Sequence, residues 1–348
     1  MIRTGVMQRF LLVRLLLNPM PNTWEAIFLG DCSLEVESMR LLVAVNHTKY
    51  YSNYNDTEGI PEAVQPHEMM QLDTSAGPLV PIYSVEDHGR RQLAPVRLHK
   101  NGAIKSISLQ EATVIQTSAG PVSAELVTFY ENGAIARVFP LNGKLSGYWS
   151  ERNEYDLAKE IAVSTPLGVI NVRPIYLHFH ETGELKSITL WPFEQLQIDT
   201  PIGRISVKRG LSFHRNGALA SCEPVAPLTV ETPLGAIEAF DPDPNGMSGE
   251  SNSLSFTEDG DIEGLSTVAT TVQGTTRHNE TMSFSPLVQR SRCSDTVFVL
   301  DPLKIRFKDN EIIFRNGMRP RKSIPASSDF RLKPFHTDKQ LGGATCAS

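Results

Sequence analysis

A neutral imidazole can ligate a metal or shuttle a proton near neutral pH, so the histidines are the first residues to weigh for chemistry. His99, His180 and His214 each stand three residues before a glycine, in LHKNGAI (98–104), FHETGEL (179–185) and FHRNGAL (213–219). The same place in FYENGAI (129–135) and FTEDGDI (256–262) holds Tyr130 and Thr257. If these segments are successive hairpins of one sheet, equivalent positions lie two strands apart, about 9.6 Å at ~4.8 Å per strand. A zinc ligand sits ~2.0–2.1 Å from its ion, so histidines on successive copies cannot share one metal. Only His178 and His180, on one strand face, are near enough to cooperate, and two ligands without a third rarely hold zinc. The expectation is an exposed strand-face column in which His178, His180 and His214 form part of an interaction surface.

Other reactive groups are sparse. Asp241, Asp243, Glu258, Asp259 and Asp261 surround one loop, and D-P-D-P-N-G (241–246) offers oxygen ligands for calcium. It lacks the spaced acids and the distal glutamate of a calcium loop. The four cysteines (Cys32, Cys222, Cys293, Cys346) are far apart, which excludes a C-x-x-C site and a disulfide framework and suits a reducing, cytoplasmic compartment. No G-x-S-x-G, P-loop, H-E-x-x-H or dinucleotide motif occurs. No catalytic, cofactor-binding or metal-binding residue is therefore assigned, and no cofactor is expected. A net charge of −6 with scattered lysines and arginines gives no footprint for nucleic acid. Tyr148 and Trp149, in GYWSERNEYD (147–156), are aromatics among acids. They read either as an interaction anchor or as packing over a sheet edge.

Two short signatures position these residues. The first places Thr three residues before Gly, in LDTSAG (72–77), IQTSAG (115–120), VSTPLG (163–168), IDTPIG (198–203) and VETPLG (230–235). The second is the Gly signature that carries the histidines, and the two alternate without a break. Proline at the second position of T-P-L-G presets φ, and the glycine supplies the left-handed residue of a type I turn plus bulge. Asn-Gly does the same in the other signature. Period-two alternation between the turns marks half-buried strands. The repeated Phe129, Phe179, Phe213 and Phe256 read as a core ladder against Ile135, Leu185, Leu219 and Ile262.

The sequence thus predicts an all-β chain. It is an antiparallel meander or repeat array of about five strand–turn–strand units, each of ~32–35 residues, with turns alternating between its two edges. Prolines in WPFEQ (191–195) and EPVAP (223–227) predict a bend or an edge within the second strand. Residues 72–268 form the array, with loop insertions at 142–160 and 241–253. Residues 39–71 are a leading strand region that opens on Leu41–Val45, and 269–318 are a degenerate capping repeat with Asp301-Pro302 for the Thr turn and Asn310 replacing Gly. The tail 319–348 reads as disordered. Residues 1–38 read as an extension upstream of the natural start or a weak targeting segment, because Arg14 splits the apolar run. A chain starting at Met39 is expected to keep the full melting temperature.

The stretch 128–149, TFYENGAIARVFPLNGKLSGYW, resembles the variant MORN-type repeat of bacterial proteins, including antitoxin-like components. The matching places are Phe129, Tyr130, Asn132, Gly133, Asn142, Gly143, Lys144, Leu145, Gly147 and Trp149. The resemblance implies hairpin architecture and a scaffold, protein-binding or membrane-surface role. The Thr-x-x-Gly half is not part of that repeat. Three functional readings follow: a non-enzymatic interaction or scaffold module whose protein partner the sequence does not name, an enzyme with a site in the non-repeating ends or at 241–253, and a peripheral membrane-surface binder.

Overall fold

The computed structural model describes residues 49–51, 62–84, 93–143, 150–244, 249, 252–277, 279–291, 294–317 and 320–337. The extension 1–38, the pattern Leu41–Val45, and Tyr148 with Trp149 lie outside the described residues. All ten glycines expected at reversals have positive φ, between +83° and +109°. Each closes an antiparallel hairpin, as the turn chemistry predicts.

The hairpins that turn at the Gly signatures join into one 16-stranded antiparallel sheet. Its path runs through Lys49–Tyr51, Ala63–Gln65, Val96–Leu98, Ile104–Thr117, Gly120–Phe129, Ile135–Phe139, Pro174–Phe179 and Leu185–Leu190. It continues through Gly203–Phe213, Leu219–Pro224, Leu254–Phe256, Ile262–Thr267, Leu303–Lys308, Glu311–Asn316 and Lys322–Pro325, with Gln195–Thr200 paired beside Gly203–Phe213. Directly opposed residues form an apolar row across it: Val96, Ile107, Val127, Val138, Leu177, Ile188, Leu211, Cys222, Leu254, Leu265 and Ile305. Each of these is buried.

The turns do not alternate between two edges. The hairpins at Thr74, Thr165 and Thr232 are separate two-stranded sheets, and they share one hydrophobic core with the large sheet. The Ser75 hydroxyl donates to the Gly133 carbonyl (2.7 Å), and the Ser118 hydroxyl to the Gly183 carbonyl (2.8 Å). A Cβ on Gly217 would lie 3.4 Å from Pro166 Cβ, and one on Gly260 would lie 3.2 Å from Pro201 Cβ. Every one of these four Thr turns therefore touches a Gly turn further along the chain, so both turn classes share an edge. The strands fold back to allow this. Pairing of Ile104–Thr117 with Gly120–Phe129 breaks between Ser108 and Thr113, and Gly203–Phe213 bends at Arg209, whose φ is +58°. Folding back buries Ile115, Val122, Val163, Val172, Ile198, Val230 and Ile237 of the Thr hairpins. At about 1.5–3 kcal/mol per large buried aliphatic side chain, this outweighs the ladder bonds lost at the bends.

The tail and the insertions also differ from expectation. Lys322–Pro325 pairs with Glu311–Asn316, and Asp329–Pro334 pairs with Thr270–Thr275, so 320–337 is not a disordered tail. Ile324 is fully buried there, which the basic flanking residues conceal in the sequence. The degenerate copy reverses at Asp309-Asn310 as expected, yet Asp301-Pro302 passes the chain between two sheets. The insertion 142–160 contains a helix, Glu151–Leu157, opened by Ser150 and Asn153 in a capping box. The ends of 241–253 are buried, with Asp241 5% and Ser253 2% exposed.

Candidate functional site

The histidine column is structural. The sheet register slips between Thr128 and Phe129, His178 and Phe179, Ser212 and Phe213, and Ser255 and Phe256. Such a bulge takes a carbonyl out of the ladder. Each freed carbonyl is met from the preceding copy: His99 Nε2 lies 2.9 Å from Phe129 O, His180 Nε2 3.3 Å from Phe213 O, and His214 Nε2 2.9 Å from Phe256 O. Tyr130 Oη donates to Phe179 O at 2.8 Å in the same way. The imidazoles thus stitch one hairpin to the next, and burial holds His180 below the ordinary histidine range.

His178 is not part of a surface. It is 4% exposed and lies 3.0 Å from Tyr130 Oη. Because the bulge falls between His178 and Phe179, His178 meets the preceding copy while His180 meets the following one. The two do not converge. Among the described residues no three His, Cys, Asp or Glu side chains are grouped to hold a metal. The phenylalanine ladder is as expected: Phe129, Phe179, Phe213 and Phe256 are buried opposite Ile135, Leu185, Leu219 and Ile262.

Two buried acids, Glu223 on the strand Leu219–Pro224 and Asp241 at the start of the second insertion, anchor that insertion. Glu223 Oε2 accepts from Ser253 N (2.8 Å), and Asp241 Oδ1 accepts from Asp243 N (3.0 Å). Burial, with the nearby Asp241 carboxylate, pushes Glu223 up to about 7, and burial also raises Asp241. At 1% exposure Glu223 holds the loop and meets no solvent. Burial pushes the Cys222 thiol up to about 12, which leaves it unreactive.

A different group of side chains forms a stack beside the helix of the first insertion, with Phe193 and Leu157 exposed. Tyr155 on the helix donates to Glu194 Oε1 (2.9 Å), which also accepts from Arg173 Nη1 (3.1 Å). Arg173 Nη1 reaches Tyr155 Oη as well, at 3.2 Å. The Tyr155 ring lies 4.9 Å from Phe193 and 6.2 Å from Trp191. Arg152 stands 5.2 Å over Tyr155 and 5.0 Å over Phe193, and is held from behind by Asp156 (3.1 Å). Phe193 is 48% and Leu157 45% exposed. Sequence reasoning chose Tyr148 and Trp149 of this insertion and missed Tyr155 and Phe193. The S-x-x-N capping pattern at 150–153 and an aromatic placed at the bend in W-P-F were the available signals. No family model, curated protein or solved structure matches the chain. No helix among the described residues is long and apolar enough to cross a membrane.

Proposed function

We propose that this chain is a non-enzymatic interaction or scaffold module whose sheet carries a protein-binding knob on the 142–160 insertion. The carrying observation is the Arg152–Tyr155–Phe193 stack, presented to solvent and fixed by the Arg173–Glu194–Tyr155 triad. Aromatic and arginine side chains dominate binding hot spots, and a fixed stack loses little entropy on association. The MORN-type resemblance over 128–149 supports the same role, and the separated cysteines suit a reducing compartment. Cross-linking mass spectrometry on the tagged full chain in its host cells, beside Phe193→Ser and Arg152→Ser, tests this. The expected result is a partner cross-linked near Lys159 that is lost in both variants while their melting temperatures hold. Partners retained by both variants would refute the knob.

A further inference from the structure

Cys222 belongs to the apolar row of the large sheet, so alternation turns its neighbour Glu223 to the opposite face. There Glu223 stands directly across from Lys208, in the register of Leu219–Pro224 with Gly203–Phe213. Directly opposed residues have Cβ atoms about 4.5–5.5 Å apart, so the two side chains are within reach of each other. They are not joined. Glu223 Oε2 accepts from Ser253 N (2.8 Å), while Oε1 is buried without a partner. Lys208 turns instead to the Phe240 ring, with its Nζ 5.1 Å from the ring centroid. Phe240 directly precedes Asp241, and its N–H donates to Ser266 O (2.8 Å). The ring that holds the lysine therefore sits where the second insertion leaves the sheet.

The proton on Glu223 decides which of the two neighbours suits the lysine better. While the carboxyl is neutral, the ring face offers the ammonium group the stronger electrostatic attraction. Once it is ionised, Oε1 is a buried charge without a partner, and such a charge calls strongly for an opposite one. The charged groups around it leave that role to Lys208. Asp241, at the end of the strand Gly235–Ala239, repels a charged Glu223, whereas Lys208 favours it. Lys304 of Leu303–Lys308 acts on Asp241, which also faces the Asp243 and Asp301 carboxyls. The Cys222 thiol on the same strand is pushed up to about 12 and stays neutral. Burial holds Glu223 at about 7, so its charge changes near neutral pH.

We infer that Lys208 is a two-position switch. It rests on the Phe240 ring while Glu223 holds its proton, and it crosses to Glu223 Oε1 when that proton passes to solvent, uncovering Phe240. NMR of the full chain, labelled with 13C in lysine and glutamate, tests this across a pH series centred on the Glu223 midpoint. The Lys208 side-chain protons should show an upfield ring-current shift below that midpoint, about 7, and lose it above. Glu223→Gln keeps the neutral shape and should hold the low-pH shift throughout. Phe240→Leu should abolish the shift at every pH, which assigns it to this ring. Lys208→Met should raise the Glu223 midpoint by about one pH unit or more, the effect of removing an opposite charge. Above the midpoint, the Phe240 amide should exchange faster in wild type than in Glu223→Gln at the same pH. The inference is overturned if the Lys208 signals do not follow the Glu223 titration, or if they still titrate in Glu223→Gln. It is equally overturned if the shift survives Phe240→Leu, if Lys208→Met leaves the Glu223 midpoint unchanged, or if the Phe240 amide exchanges alike in wild type and Glu223→Gln.

Discussion

Thr117 does more at its turn than the spacing suggests. Its hydroxyl donates to Gly120 O (2.6 Å) and accepts from Ala119 N (3.2 Å), closing the turn twice. Thr74, Thr165, Thr200 and Thr232 repeat both bonds. Thr117→Val keeps the β-branched shape and removes both, so it should cost about 1–2 kcal/mol in chemical denaturation. An unchanged midpoint would show that glycine alone makes the turn. Glu223 gives the molecule a pH dependence of definite sign. Its native value near 7 lies above an ordinary value of 4.5, so the folded state favours the neutral acid. The stability it contributes is complete below about 4.5 and is lost as pH rises through about 7, at most about 3 kcal/mol. Asp241, also raised, adds in the same direction. Glu223→Gln should match wild type near pH 4.5 and exceed it in denaturation midpoint above pH 7. An equal gap at both pH values would mean that Glu223 is ionised throughout.

At the scale of the hairpin, Gly217 tests the turn and its neighbour together. Its φ of +88° is hostile to a β-branched residue, and the added side chain would press on Pro166. Gly217→Val should cost about 1–3 kcal/mol. Ala218→Val should be nearly neutral, because Glu184 and Asp261 occupy the same place in other copies. Equal midpoints for the two variants in urea would refute the turn. Turns of this kind were legible because Asn-Gly and Thr-Pro-x-Gly state their backbone geometry directly. The fold-back was not legible. Alternating residues such as those of Gln195–Thr200 read the same whether the strand continues flat or doubles over its neighbour. Only the prolines near 192 and 224 marked the bends. The exposed stack on the first insertion was hidden for another reason. Tyr155 and Phe193 are far apart in sequence, and only the helix Glu151–Leu157 and the bend at Pro192 bring their rings to 4.9 Å.

Across the whole sheet, contacts run between neighbouring copies. Tyr130 holds Phe179 O, His180 meets Phe213 O, and Pro166 and Pro201 lie under the Gly turns that follow. Stability in such an array is close to a sum of local terms and neighbour interfaces, so damage at one end should stay there. The C-terminal end offers the test. Lys322–Pro325 covers the edge of the large sheet with Ile324 fully buried. Asp329–Pro334 pairs along the whole of Thr270–Thr275 and brings Leu332 to 3.5 Å from where a Gly235 Cβ would stand. Phe284, which packs on Phe314 with ring centroids 4.0 Å apart, lies in the strand on the other side of Thr270–Thr275. A chain ending at Asn316 loses all of this cover, roughly 1.5–3 kcal/mol for Ile324 alone. Hydrogen exchange should then quicken strongly in Thr270–Thr275, Thr281–Phe284 and Glu311–Asn316, while Ile104–Thr117 and Gly120–Phe129 keep their protection. Uniform quickening would mean that the array unfolds as one unit and that neighbour coupling spans its full length. No change anywhere would mean that 320–337 does not cap the sheet.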